Sequence, residues 1–175
     1  MEQTTPVLRP ARYPADVDDL AALNIEYLTW ATGRLLEEFG VVMAVPDAQA
    51  SAASVRAFDR EGARYLVVEN EGVLVGMGAL RTLEPGVVEI KRMYLRPELR
   101  GLHLGSALLD RLLAEAVDGL GAHTLRLDSC RFMHGAQRLY ASRGFTERDP
   151  YEGTEIPAQM RENWRFFEKP VPVRA

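Results

Sequence analysis

Cysteine is almost absent from this chain. Cys130 is the only one in 175 residues, so no disulfide can close within it. Long apolar runs are absent too. None approaches the roughly 18 to 20 residues needed to span a bilayer, and stretches such as Val41-Val42-Met43-Ala44-Val45 are core-sized. The three histidines, His103, His123 and His134, show no metal-ligand spacing and no cysteine cluster accompanies them, so no metal is expected. Met1-Glu2-Gln3-Thr4-Thr5 lacks the basic and apolar regions of a secretory signal, which points to a reducing cytoplasm. There is no internal repeat and no low-complexity linker. An excess of positive charge is also missing: the net charge of −4 argues against a general binder of nucleic acid or of membrane surfaces.

What remains is the composition of an ordinary globular protein, 47% hydrophobic and 26% charged. A single domain spanning 1–175 is expected, large enough to bury a core without staples. Charge is unevenly placed along it. Residues 90–143 carry nine Lys/Arg against five Asp/Glu, a local excess of +4, while the remainder carries −8. That positive region contains the glycine turn described below, a coincidence that an anionic ligand explains.

The element pattern is mixed. After an extended start near Val7 to Pro10, Asp16-Val17-Asp18-Asp19 offers an N-cap and early-turn acids to a helix over about 15–39, with Gly33 as a candidate break. Pro46-Asp47 introduces a second helical stretch reaching about Gly62. Residues 64–69 and 73–83 read as strands joined by Asn70-Glu71-Gly72, a hairpin signal, and Gly76 and Gly78 suggest a bend or close backbone approach. Pro85-Gly86 turns into a third strand, 87–95. Leu108, Leu109, Leu112, Leu113, Ala116, Val117 and Leu120 then form one apolar helical stripe, ended by Gly119 and Gly121. A strand over 124–128, a helix over 137–142 closed by Gly144, and a last strand around Trp164 to Lys169 complete an α/β domain with a mixed sheet.

Between the third strand and the striped helix lies Arg100-Gly101-Leu102-His103-Leu104-Gly105-Ser106. A tight turn feeding a helix start presents unpaired N–H donors and the positive end of the helix dipole, which suits a pyrophosphate. The Lys-Ser/Thr ending of a P-loop is absent, and no dinucleotide fingerprint follows an early strand. Together with Leu139-Tyr140-Ala141-Ser142-Arg143-Gly144-Phe145 downstream, this order resembles the GCN5-related N-acetyltransferase (GNAT) family, over residues 64–147 above all. The stretch Glu89-Ile90-Lys91-Arg92-Met93-Tyr94-Leu95-Arg96-Pro97-Glu98, with Leu125-Arg126-Leu127-Asp128, looks like its bacterial small-molecule branch.

The resemblance implies a single domain whose central mixed sheet, flanked by helices, has a splayed strand pair, with acetyl-CoA as acyl donor. Arg100, Gly101, Leu102, His103, Leu104, Gly105 and Ser106 would line the diphosphate. His103 stands where the family has glycine, which is compatible with a phosphate contact only if its backbone is not left-handed, and equally with a surface position beside the cofactor. Met93, Tyr94 and Leu95 would offer free backbone groups to the pantetheine arm and the thioester oxygen, their side chains being core. Met133 replaces a family asparagine.

Two catalytic roles follow from the same resemblance. Tyr140 would protonate the departing thiolate, against the alternative of a plain core tyrosine. Glu89 would be the general base; the alternatives are pairing with Lys91 or a neighbouring strand, or anchoring the substrate's ammonium. Cys130, His134 and Asp128 could be arranged as a nucleophilic set, but spacing alone supplies neither an oriented base nor an electropositive setting.

The expected activity is direct acetyl transfer from acetyl-CoA to a primary amine of a small molecule in a ternary complex. The acceptor pocket would draw on the first two helices around Trp30 to Phe39 and on the tail around Tyr151 and Trp164 to Phe167, with Glu37, Glu38 and Glu152 attracting a cation. Neither nucleic acid nor membrane is an expected partner, and a homodimer is compatible. The rival readings are acetylation of a protein amine and non-catalytic sensing of acyl-CoA.

Overall fold

The computed structural model describes residues 5–172. Its seven-stranded sheet has the order β1-β2-β3-β4-β5-β7-β6. The strands are β1 (Val7–Pro10), β2 (Ala63–Asn70), β3 (Val73–Glu84), β4 (Val87–Leu95), β5 (Thr124–Cys130), β6 (Thr146–Arg148) and β7 (Trp164–Pro170). All neighbours run antiparallel except β4 and β5. The Asn70-Glu71-Gly72 signal forms the two-residue hairpin expected of it: Glu71 and Gly72 both take left-handed backbone, φ +52° and +79°, matching the twist of β2 and β3. The short edge strand β6 has no counterpart in the sequence reading.

Helix α1 (Val17–Phe39) runs unbroken through Gly33. That glycine is exposed with nothing within 4 Å, so it weakens the helix by only about 1 kcal/mol, which the buried face of Leu20, Leu23 and Leu35 outweighs. Asp16 stands at the cap position without capping through its side chain. It accepts instead from Arg9 Nη1 and the Arg12 N–H, both at 2.7 Å, tying β1 to the start of α1. Helix α2 (Ala48–Arg56) is shorter than expected; Asp47 caps it, accepting the Ala50 N–H at 2.8 Å.

Helix α3 (Leu104–Ala114) continues as a wider π turn over Glu115–Gly119 and buries Leu108, Leu109, Leu112 and Ala116 fully against the sheet. The close approach anticipated at Gly78 is real: a Cβ there would stand 2.7 Å from Leu112 Cδ1. Helix α4 (His134–Ser142) packs on the same sheet face. Helices α1 and α2 cover the other face, and a third apolar cluster of Leu35, Cys130, Phe132, Tyr151, Trp164 and Phe166 lies beside it.

Candidate active site

Parallel pairing between β4 and β5 extends only from Val87 opposite Thr124 to Ile90 opposite Leu127. Beyond that point the two strands part, so Lys91 to Leu95 have no partner on the β5 side. Their pairing with β3 is irregular too. Ala79 faces Lys91 and Met77 faces Tyr94, leaving Arg92 and Met93 together opposite Gly78. Arg92 takes left-handed backbone, φ +54°, within this bulge. Met93 thus has no register partner on either neighbouring strand, β3 or β5.

A cavity of about 400 Å3 occupies this opening, lined by Met93, Tyr94, Leu95, Arg100, Gly105 and Tyr140 among others. A second, of about 380 Å3, lies toward α1 and α2. The two share walls at Tyr27, Met93, Met133, Ala136 and Tyr140, so a molecule in each would meet at Tyr140.

At the turn, Arg100 and Gly105 reach the first cavity while Leu102 is exposed. Gly101 and His103 both have left-handed backbone, φ +80° and +60°. His103 therefore adopts the conformation that its expected phosphate contact was to avoid, as the cap residue of α3. Histidine tolerates this region better than most residues, yet the strain costs about 1–2 kcal/mol. The first helical bond is made by the Ala107 N–H to the His103 carbonyl at 3.0 Å, so the first-turn amides of Leu104, Gly105 and Ser106 precede the helical ladder. Arg100 folds back, its guanidinium carbon 5.2 Å over the Trp30 ring and its Nε donating to the Leu95 carbonyl at 3.2 Å.

Tyr140 is buried against Phe145 and Phe167, and its hydroxyl finds no hydrogen-bond partner among the described residues. Burial first, then the nearby Asp128 carboxylate, pushes its phenol well above the ordinary range, so it stays protonated.

Glu89 is engaged through both carboxylate oxygens. It is fully buried and lines neither cavity. Its Oε1 accepts from Arg81 Nε at 2.8 Å with Lys91 Nζ 3.4 Å away, and its Oε2 accepts from the Tyr151 hydroxyl at 2.7 Å. Pairing with Lys91 and the neighbouring strand is the alternative the sequence left open, and it is the observed arrangement. Glu37, Glu38 and Glu152 are exposed and off the second cavity, with Glu38 paired to Arg34.

Two carboxylates do line that cavity: Glu155, paired with Lys91 and Arg81, and Asp128. The second is the informative one. It is half-buried at the end of β5, where the strand leaves β4, and makes no hydrogen bond or ion pair with the described residues. Desolvation raises its carboxyl to about 6, with Lys91 opposing and Glu89 adding to the rise. The signal was present in Leu125-Arg126-Leu127-Asp128: the two leucines turn inward, so Asp128 turns the other way. The sequence reading had grouped it with Cys130 and His134. Cys130 is buried, its thiol pushed up to about 12 by desolvation first, which leaves no thiolate at neutral pH. Phe132 and Gly135 also line the first cavity and carried no sequence signal, whereas Trp30 and Arg34, which line it too, fall in the stretch from Trp30 to Phe39 expected at the acceptor pocket. Among the described residues no group of three or more His, Cys, Asp or Glu is arranged to hold a metal, and no helix is long and apolar enough to cross a membrane.

Known proteins share this organisation. Residues 28–145 match the Acetyltransferase (GNAT) family. An N-acetyltransferase of Schizosaccharomyces pombe, described as uncharacterized, is 33% identical over 149 residues, covering 83% of this chain and 86% of that protein. An IAA acetyltransferase of Azospirillum brasilense is 36% identical over 109 residues, covering 62% and 68%. In three dimensions the Salmonella typhimurium protein yncA, solved with its cofactor acetyl-CoA, superposes with a TM-score of 0.70 at 24% identity, over 98% of this chain and 97% of that one. The parted β4 and β5 strands agree with the family match over most of the chain: this protein belongs to the GCN5-related N-acetyltransferases and is an acyltransferase.

Proposed function

We propose that the enzyme transfers an acetyl group from acetyl-CoA to a primary amine of a small molecule, both substrates being seated together. The observation that carries this reading is the free edge at Lys91 to Leu95, opening on one cavity that reaches Arg100 and Gly105 and sharing walls with a second that contains Asp128. The site fits the cofactor in kind: an extended edge for the pantetheine amides, and a helix start with a nearby guanidinium for the diphosphate. Acetyl-CoA supplies an activated acyl group as a thioester.

The chain's own residues then divide the work. Arg100 swings from Trp30 toward the diphosphate, and the first-turn amides of α3 from Leu104 to Ser106 donate to its oxygens, with Gly101, Leu102 and His103 shaping the turn. Main-chain groups from Met93 to Leu95 align the arm, an N–H near Met93 or Tyr94 meeting charge that develops on the thioester oxygen. Asp128 takes the proton that the ammonium must lose before attack, and Tyr140 holds the proton given to the leaving sulfur. Glu89 acts as a positioning residue, fixing Arg81, Lys91 and Tyr151 beneath the acceptor.

Direct transfer is supported by Cys130, whose raised pKa makes it a poor acyl carrier. A small acceptor is supported by segment 151–156, which is held across the end of the second cavity: Glu155 pairs with Lys91 and Arg81, and the Gly153 carbonyl accepts from Arg81 at 2.7 Å. A peptide would need that path open. The same reading keeps the protein in a reducing cytoplasm, where Cys130 stays a thiol. Calorimetric titration with acetyl-CoA, repeated with the dephosphorylated cofactor, tests the proposal. Saturable binding in the micromolar range is expected, and absence of binding overturns it.

A further inference from the structure

The second cavity is apolar along most of its length, where Leu28, Ala31, Leu35, Met43, Ile156 and Trp164 form its wall. Charge gathers only at the end beside the parting of β4 and β5. Two cations stand there, and both are engaged. Lys91 Nζ pairs with Glu155 and lies 3.4 Å from Glu89 Oε1. Arg92 donates to the Ser54 hydroxyl and lays its guanidinium 4.9 Å over the Phe58 ring; its Nη1, without a partner, is itself buried. Of the acids, Glu155 is shared between Lys91 and Arg81, whereas Asp128 has no ion pair with the described residues.

Asp128 is thus the one acid there without an ion pair among the described residues; Arg92 has none either, but it is held by the Ser54 hydroxyl and the Phe58 face. We infer that the acceptor is a primary amine on an apolar body with no anionic group, an arylalkyl or alkyl monoamine, its ammonium at Asp128 and its hydrocarbon along α1. This deepens the acetyl-transfer reading and rests on it. A carboxylate on the acceptor would be desolvated unless Arg92 gave up Ser54 and the Phe58 face to meet it, and the far ammonium of a diamine would be pressed against leucine and tryptophan. An apolar body loses nothing by entering, and a volume of about 380 Å3 accommodates a phenyl ring on a two-carbon arm.

The test compares 2-phenylethylamine, phenylalanine and 1,4-diaminobutane as acceptors, following thiol release at saturating acetyl-CoA, with acetyl-CoA binding measured separately by calorimetry. We expect kcat/KM for 2-phenylethylamine to exceed that for each of the other two by at least about 100-fold. Leu28→Ala should lower that preference by roughly 10-fold while leaving acetyl-CoA affinity unchanged, because it removes wall contacts from the acceptor alone. Equal or better use of phenylalanine overturns the inference, since Arg92 would then be turning to meet a carboxylate. Preference for the diamine overturns it likewise. In both cases intact acetyl-CoA binding and turnover leave the acetyl-transfer reading standing, whereas loss of acetyl-CoA binding removes both.

Discussion

The Tyr151 hydroxyl donates a 2.7 Å hydrogen bond to Oε2 of Glu89, joining the tail to the centre of the sheet. With Arg81 on Oε1, both oxygens of a fully buried carboxylate are satisfied.

Glu89→Ala should therefore destabilise the fold by about 3–5 kcal/mol, because it leaves the Arg81 charge without its buried partner. Denaturant unfolding measures this. Glu89→Gln, which keeps the shape, should retain the wild-type pH–rate profile; a lost acidic limb would return the base role to Glu89.

Asp128 should set that limb. Its carboxyl is raised to about 6 by desolvation, in a field from Lys91, Arg81, Glu89 and Glu155, so turnover should rise with pH through about 6 as the base ionises. Asp128→Asn should cut kcat by roughly 10²- to 10⁴-fold and abolish the limb. Stability should move oppositely. A carboxyl whose folded pKa is raised stabilises the fold while protonated and loses that contribution as pH rises through about 6. The asparagine variant should thus melt higher than wild type at pH 8 and nearly alike at pH 4.

Tyr140→Phe keeps the ring packed against Phe145 and Phe167 and removes only the hydroxyl. We expect kcat to fall about 10²-fold with acetyl-CoA affinity unchanged by calorimetry. Equal turnover would remove Tyr140 from the chemistry.

His103→Gly should relieve the left-handed strain of the turn and stabilise the protein by about 1 kcal/mol, visible as a higher Tm. Acetyl-CoA affinity should hold or improve, since the amide directions are kept. A fall would show that the imidazole contacts the cofactor.

Local chemistry was enough to read much of this protein from its sequence. Asn70-Glu71-Gly72 forms a hairpin because two successive left-handed residues are a property of the turn itself. The stripe through Leu108, Leu112 and Ala116 marks one helix face because the 3.6-residue period is local, and the glycine turn announces α3 for the same reason. Resemblance to a family added the parting of β4 from β5. Tertiary structure alone decided which carboxylates are paired. Whether Glu89 or Asp128 is free depends on Arg81, Tyr151 and Glu155, which arrive from other strands and from the tail. The left-handed backbone of His103 is likewise visible only in the fold. Backbone propensity acts between near neighbours, whereas the charge state and freedom of a buried acid are set by every group the fold brings around it.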